Sequence, residues 1–277
     1  MTRVIKVGGR VQRDKSFAAV IAEQWDHGAQ PLVLVHGGGD AVTQLQRAFG
    51  TEARFVGGRR VTSSKDVDIV RMALSGVANK QLVSALVSEG VHAVGISGED
   101  DGLIGATPTN PEKLGHVGEV MTIRPAILHT LLGAGYLPVI SPVSRNVSST
   151  LGPALNVNGD DAAALIAIAL EATELVLLSD VPAVLLNDEV VGTLTADDAR
   201  TLIAGGIATN GMIAKLEAAV VAIEGGVASV RICDLAGVTN VTAGTTLTAR
   251  THFAGGSAFS ALRDVLSTAD TSVAGAS

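Results

Sequence analysis

Two glycine clusters, Lys6-Val7-Gly8-Gly9 and His36-Gly37-Gly38-Gly39, each follow a short aliphatic run near the start of the chain. Glycine without a Cβ lets main-chain N–H groups approach a phosphoryl oxygen, and a helix starting just beyond adds the positive end of its dipole. Lys6 adds mobile positive charge. The pair therefore reads as a phosphate cradle, or more plainly as two tight strand-to-helix turns. Neither cluster has the G-x-G-x-x-G spacing of dinucleotide folds or the G-x-x-x-x-G-K-[ST] spacing of P-loop enzymes, so both of those readings lose weight. Three further groups could do chemistry. Gly58-Arg59-Arg60-Val61-Thr62 puts two guanidinium groups before a helix, and their forked donors match a carboxylate; one of the two is expected in solvent. Asn156-Val157-Asn158-Gly159-Asp160 sets amides and a carboxylate just before an alanine-rich helix, where such residues also serve simply as caps. Gly211-Met212-Ile213-Ala214-Lys215 puts a lysine in the first turn of a helix, where the dipole disfavours a cation unless an anion is near.

These groups need elements to position them. Arg3-Val4-Ile5 and Leu32-Val33-Leu34-Val35 read as neighbouring buried strands, which puts both glycine turns at strand C-terminal ends, where open α/β sheets bind ligands. Phe17, Val20, Ile21 and Trp25 repeat at helical spacing between them, completing a β-α-β crossover. Val42, Leu45 and Phe49 form the apolar side of a second helix. Ser63, with Asp66 three residues on, caps a third that runs through Val67, Val70, Leu74 and Val77. His92 to Ile96 returns as a strand. Residues 97 to 122 carry Gly98, Gly102, Gly105, Pro108 and Pro111 and are expected to form an exposed hairpin or flap outside the sheet core. Alternation then resumes with a strand over Leu137 to Ile140 and a helix over Asp161 to Leu170. Strands at Leu175 to Leu178 and Ser229 to Ile232 follow, with a helix capped by Thr195 and Asp198 and another over Met212 to Ile223. The expected fold is α/β, a three-layer αβα sandwich on an open, mainly parallel sheet.

Composition excludes several classes. With 277 residues, 47% hydrophobic and 17% charged, the chain can bury a large core. A net charge of -7 without clustered Lys and Arg argues against nucleic acid, and 3% aromatic content offers no stacking platform for bases. The single Cys233 forbids an internal disulfide and a cysteine-based metal site, which fits a reducing compartment, the cytoplasm. No signal peptide and no apolar run of ~18 residues is evident, so no membrane partner is expected. The six histidines show no ligand spacing, and no protein metal site is expected.

Nine short motifs in order carry a resemblance: the two glycine turns, Gly58 to Thr62, Ala78-Asn79-Lys80, Gly115-His116-Val117-Gly118, Asn156 to Asp160, Leu178-Ser179-Asp180-Val181, Gly211 to Lys215, and Gly244-Thr245. Together they resemble the amino-acid kinase superfamily and, within it, the N-acetyl-L-glutamate kinases. The resemblance implies ATP-dependent phosphorylation of the γ-carboxylate of N-acetyl-L-glutamate to an acyl phosphate, in arginine biosynthesis, with Mg2+ bridging ATP oxygens. It implies that Lys6 lies against the transferring phosphoryl group, that Lys215 binds the nucleotide's phosphates, and that Asp160 holds the two lysines in orientation. Backbone N–H groups of Gly8, Gly9, Gly38 and Gly39 would face the phosphoryl group and the attacking carboxylate. Arg60 would pair with the substrate α-carboxylate and Asn156 would bind the main part of the substrate. Asp180, Gly211 and Met212 fall in the adenine and ribose region, where Pro182-Ala183 departs from the usual Ser-Gly. A substrate-binding and dimerising lobe over residues 1–173, an ATP lobe over 174–248 and a partly disordered extension over 249–277 are expected. With the first strand beginning by residue 3, no interlacing N-terminal helix fits, which implies an arginine-insensitive homodimer. A carrier-linked aminoadipate or glutamate kinase of lysine biosynthesis and a non-catalytic regulatory paralogue are the alternatives; a nicotinamide oxidoreductase lacks its glycine fingerprint.

Overall fold

The strand Arg3–Val7 pairs in parallel with Leu32–His36 on one side and Glu174–Leu178 on the other, placing Val7, His36 and Leu178 in one row. All three are almost wholly buried runs, as a sheet covered on both faces requires. In the computed structural model, which describes residues 2–26, 30–208 and 211–249, they form the middle of an 11-stranded sheet. From one edge the order runs Thr193–Leu194, Thr245–Thr248, Ser229–Cys233, Glu174–Leu178, Arg3–Val7, Leu32–His36, Leu137–Asn146, Ile104–Pro108 and Gly118–Ile123. Ala93–Gly98 and Leu155–Asn156 also pair with the long strand Leu137–Asn146. Pairing is parallel except for Thr245–Thr248 on Ser229–Cys233, Leu155–Asn156 on Leu137–Asn146, and the hairpin Ile104–Pro108 with Gly118–Ile123.

Alternation along each strand divides the core into two layers. Val4, Val33, Val35, Leu175 and Leu177 pack with the helices Gly159–Ala169, Ala196–Ala204 and Gly211–Glu224. Ile5, Val7, Leu34 and Val176 pack with Phe17–Asp26 and Asn79–Ser88 on the opposite face. The expected three-layer architecture is therefore observed. Ala162, Ala163 and Ala164 are fully buried, and their small side chains let Gly159–Ala169 approach both the sheet and Gly211–Glu224. Lys6, two residues after Val4, belongs to that same face and lies in the strand, not in the turn that follows it.

Three expectations change. Residues 97–122 do form a hairpin, but Gly105 and Ala106 pair with Arg145 and Asn146 in the sheet, and Leu103, Ile104 and Ala106 are fully buried. The glycines that signal a loop are close-approach positions: a Cβ on Gly118 would stand 2.9 Å from Leu155 Cβ. Phe49 lies just past the helix Gly39–Ala48 and is exposed. The third helix starts as expected, with Ser63 and Asp66 in a reciprocal capping box, but Ser64–Arg71 passes into a π-helical turn, Met72–Ala78, and then into Asn79–Ser88. Val67, Val70 and Leu74 are buried, whereas Val77 is 48% exposed and Ala78 takes its place inside. Among the described residues no helix is long and apolar enough to cross a membrane. Phe259, Leu262 and Leu266, read as a terminal helix, lie outside the described residues.

Candidate active site

The two glycine turns touch. Gly37 N–H donates to Val7 O at 2.9 Å, and a Cβ on Gly9 would lie 3.4 Å from the Cα of Gly38, so main chain meets main chain with no room for side chains between. Gly38 immediately precedes the helix Gly39–Ala48, and this gives the cradle a helix N-terminus.

Beside the cradle, three residues far apart in sequence converge. Lys6 Nζ lies 2.8 Å from Asp160 Oδ1, and Lys215 Nζ donates to the same carboxylate at 3.2 Å and 3.4 Å. All three are less than 10% exposed. Burial alone would push the Asp160 carboxyl up, but the two ammonium groups outweigh it and hold it below the usual carboxylate range. Lys215 is lowered from the ordinary lysine value, first by burial and then by Lys6, against the pull of Asp160. The sequence makes this arrangement locally. Asn158 caps the helix Gly159–Ala169 by accepting from Asp160 N–H at 2.7 Å, so the Asp160 side chain is free for the lysines. A Cβ on Gly159 would stand 3.3 Å from Lys6 Cε. The carboxylate also answers the objection to a cation near the start of Gly211–Glu224: the anion is Asp160.

A second chain of hydrogen bonds, exposed at Lys80 and buried at Asn79 and His36, supports the cradle from the opposite face. Lys80 Nζ, which can only donate, bonds Gly95 O at 2.8 Å and Asn79 Oδ1 at 2.9 Å. The Asn79 amide is thereby oriented with Nδ2 toward Val139 O, at 2.9 Å, and His36 Nε2, at 3.1 Å. His36 Nε2 must accept, so Nδ1 carries the proton and donates to Gly37 O at 2.8 Å. Burial keeps the imidazole neutral by lowering its pKa to about 4, Lys80 and Lys6 adding to the effect.

The other sequence-predicted groups meet at the open side of the cradle. Arg60 donates to Gly39 O at 2.8 Å, Thr43 Oγ1 at 2.9 Å and Gln46 Oε1 at 2.5 Å, and its guanidinium sits 4.8 Å from the Phe55 ring centre. Gln46 in turn donates to Asp66, the capping residue. Asn156 Nδ2 donates to Thr62 Oγ1 at 3.1 Å. The segment Gly115 to Gly118 joins these two: His116 N–H donates to Thr62 O and Asn156 N–H donates to His116 O, so the stretches carrying Arg60 and Asn156 flank it on either side. Arg59 points elsewhere, to Asp161 at 3.5 Å. The Asp161 carboxyl is pushed up to about 6 by burial and by neighbouring Asp160, Glu217 and Glu119, with Arg59 opposing.

On the far side of the triad lies a cleft of about 360 Å³, lined by Ser179, Asp180, Leu202, Gly211, Met212 and Lys215 among others. Every residue assigned by sequence to nucleotide contact beyond the cradle falls on this wall. Asp180 pairs with Arg10 at 2.8 Å, and the loop after it is pinned by Thr245, which accepts from Val184 N–H and donates to Val191 O. The support residues Asn79, Gln46, Thr43 and Asp161 lie outside the groups that sequence assigns a role. Asn79-Lys80 and Gly244-Thr245 were visible as motifs, and Gln46 and Thr43 carried no signal beyond helix polarity.

A profile of the amino acid kinase family matches residues 1–234. The chain is 44% identical over 237 residues to the acetylglutamate kinase of Chloroflexus aurantiacus, covering 85% of this chain and 92% of that one. It is 41% identical over 234 residues to the acetylglutamate kinase of Geobacillus stearothermophilus, covering 83% and 89%. Among solved structures, smu.665 from Streptococcus mutans UA159 superposes with a TM-score of 0.80 at 31% identity, over 90% of this chain and 99% of that one. N-acetylglutamate synthase from Neisseria gonorrhoeae, complexed with coenzyme A and N-acetyl-glutamate, shares the fold at TM-score 0.76 and 24% identity, over 91% of this chain and 60% of that chain.

Proposed function

The chain belongs to the amino acid kinase family, and on that premise we propose how its site carries out ATP-dependent phosphorylation of the γ-carboxylate of N-acetyl-L-glutamate, the acyl-phosphate-forming step of arginine biosynthesis. The observation that supports this assignment of roles is the buried Lys6–Asp160–Lys215 triad, set between the glycine cradle and the cleft. Two anions must be brought together for the reaction, so positioning and charge neutralisation are the main tasks. Lys6 faces the phosphoryl group in transfer, and Lys215 reaches from the cleft to the nucleotide's phosphates and steadies the charge that grows on the leaving oxygen. Asp160 keeps the two ammonium groups aimed. Main-chain N–H groups of Gly8, Gly9, Gly38 and Gly39 bind the transferring group and the attacking carboxylate. Arg60 binds the substrate α-carboxylate and Asn156 its main part. Asp180, Gly211 and Met212 line the nucleotide's end of the site.

Mg2+ is part of the proposal. Among the described residues no group of three or more His, Cys, Asp or Glu side chains is placed to hold a metal ion, and the ion is proposed to enter with the nucleotide. When bound there it neutralises phosphate charge. The division into a substrate lobe, residues 1–173, and a nucleotide lobe, residues 174–248, the homodimeric state and a cytoplasmic location belong to the same reading.

The direct test is Mg-ATP-dependent acyl phosphate formation, trapped as hydroxamate, with N-acetylglutamate, N-succinylglutamate, N-acetylaminoadipate, glutamate and aspartate in parallel. Selective turnover of N-acetylglutamate is expected. Silence on all five, with ATP still bound, would instead indicate a carrier-linked acceptor or a regulatory protein.

A further inference from the structure

Arg10 follows Gly8-Gly9 directly and opens the short 3-10 turn Val11–Arg13. Its Nη1 donates to Asp180 Oδ2 at 2.8 Å, across the gap between the end of the strand Arg3–Val7 and the end of Glu174–Leu178. Both partners are largely exposed, with side chains 77% and 51% accessible, so the pair is weak and screened by water. Asp180 and Ser179 line the nucleotide cleft, and the same two residues, with Arg10, line an adjoining cavity of about 490 Å³. Arg10 thus lines the adjoining cavity, reaches the cleft only through Asp180, and follows the first glycine turn directly.

Charge accounting gives this placement a purpose. The two ammonium groups of Lys6 and Lys215 against the single carboxylate of Asp160 leave one net positive charge at the buried centre. His36 is neutral there, and Arg60 is held by Gly39, Thr43 and Gln46. A nucleoside triphosphate facing a carboxylate brings more negative charge than that centre offsets. A guanidinium matches phosphate oxygens with paired donors and stays charged at any working pH.

We propose that Arg10 is a phosphate-binding residue of the nucleotide site, parked on Asp180 and handed to the phosphate chain when a nucleoside di- or triphosphate enters. The inference rests on the nucleotide reading above. Arg13 supplies the contrast: it leaves the same turn and lines the same adjoining cavity, but it pairs at 3.4 Å with Asp40, which lines neither that cavity nor the cleft, whereas Asp180, the partner of Arg10, lines both.

Isothermal titration with ADP and with adenosine, on the full chain and its Arg10→Gln, Arg10→Lys and Arg13→Gln variants, tests this without needing turnover. Loss of one charge-assisted contact predicts that Arg10→Gln weakens ADP binding by about tenfold or more while adenosine binding and the KM for N-acetylglutamate change by less than about twofold. Arg10→Lys restores part of the loss, and Arg13→Gln binds ADP as the parent does. Unchanged ADP affinity in Arg10→Gln, or an equal loss in Arg13→Gln or for adenosine, overturns the proposal. If the parent binds ADP yet phosphorylates no carboxylate, the functional reading fails and the Arg10 result is still interpretable.

Discussion

Asn79 Nδ2 stands 3.1 Å from His36 Nε2, both side chains wholly buried, and this contact decides the polarity of the second glycine turn. Because His36 donates to Gly37 O, that carbonyl is turned toward the protein. Replacing Asn79 by Leu leaves His36 Nε2 without its donor and removes the side-chain bond to Val139 O. The expected loss of stability is roughly 2 kcal/mol or more, read from urea unfolding, together with a fall in kcat. A variant as stable and active as the parent would remove the supporting role assigned to Asn79.

Acid stability should separate His36 from Asp161. His36 ionises at about 4 when folded and near 6.5 when unfolded, so between those values the unfolded chain holds the extra proton and acid removes stability. Asp161 runs the other way: folded it titrates at about 6, against 3.8 unfolded, so acid relieves a buried charge in the same range. The two contributions oppose, and the parent should change little between about pH 4 and 6. In Asp161→Asn only the histidine contribution remains, and stability should fall by on the order of 3 kcal/mol from about pH 6.5 to 4. Melting curves across that range check it, and a pH profile for the variant as flat as the parent's would sink the argument.

Lys6→Ala and Lys215→Ala should each lower kcat by about a hundredfold or more, the loss expected when one preorganised donor to developing charge is removed. Asp160→Asn should cost stability as well, roughly 3–5 kcal/mol, because two buried ammonium groups are left without their shared anion. Single-turnover kinetics and denaturant titration separate the two effects. Near-full turnover by Lys6→Ala would end the phosphate-cradle interpretation.

Arg60→Ala should act chiefly on KM for the amino acid, with kcat much less affected, as for a group that binds substrate and transition state alike. Lysine is a poor replacement, since one ammonium cannot engage Gly39 O, Thr43 and Gln46 and still present a paired donor. If KM stays unchanged in Arg60→Ala, Arg59 becomes the better candidate for the α-carboxylate.

The sequence makes the sheet and its glycine turns legible because a buried aliphatic run followed by Gly-Gly specifies both the strand and its exit. The capping boxes at Ser63 and Thr195 are equally local, and both form as expected. The meeting of residues 6, 160 and 215 is not local. No periodicity joins them, and they were grouped only because nine motifs in order resemble a known family. The hairpin within residues 97–122 is legible, but its place in the sheet core is not, because glycines that permit close packing have the same composition as a loop. Asn79 shows as part of a motif, but its supporting role does not, because a buried amide inside a helix leaves no mark in hydrophobic spacing.

The π-helical turn at Met72–Ala78 works as a phase shifter. An α-helix advances about 100° per residue, so one surplus residue in the turn rotates everything beyond it by that angle relative to an unbroken helix. Ser63 and Asp66 at one end hold Arg60 through Gln46, while Asn79 at the other holds His36. A Cβ on Gly38 would meet Leu74, within the turn, at 2.7 Å. Deleting a single residue there could restore regular winding and keep both flanking segments helical. It could not keep both ends facing their partners, so the two halves of the active site share one angular setting that only the irregular turn supplies.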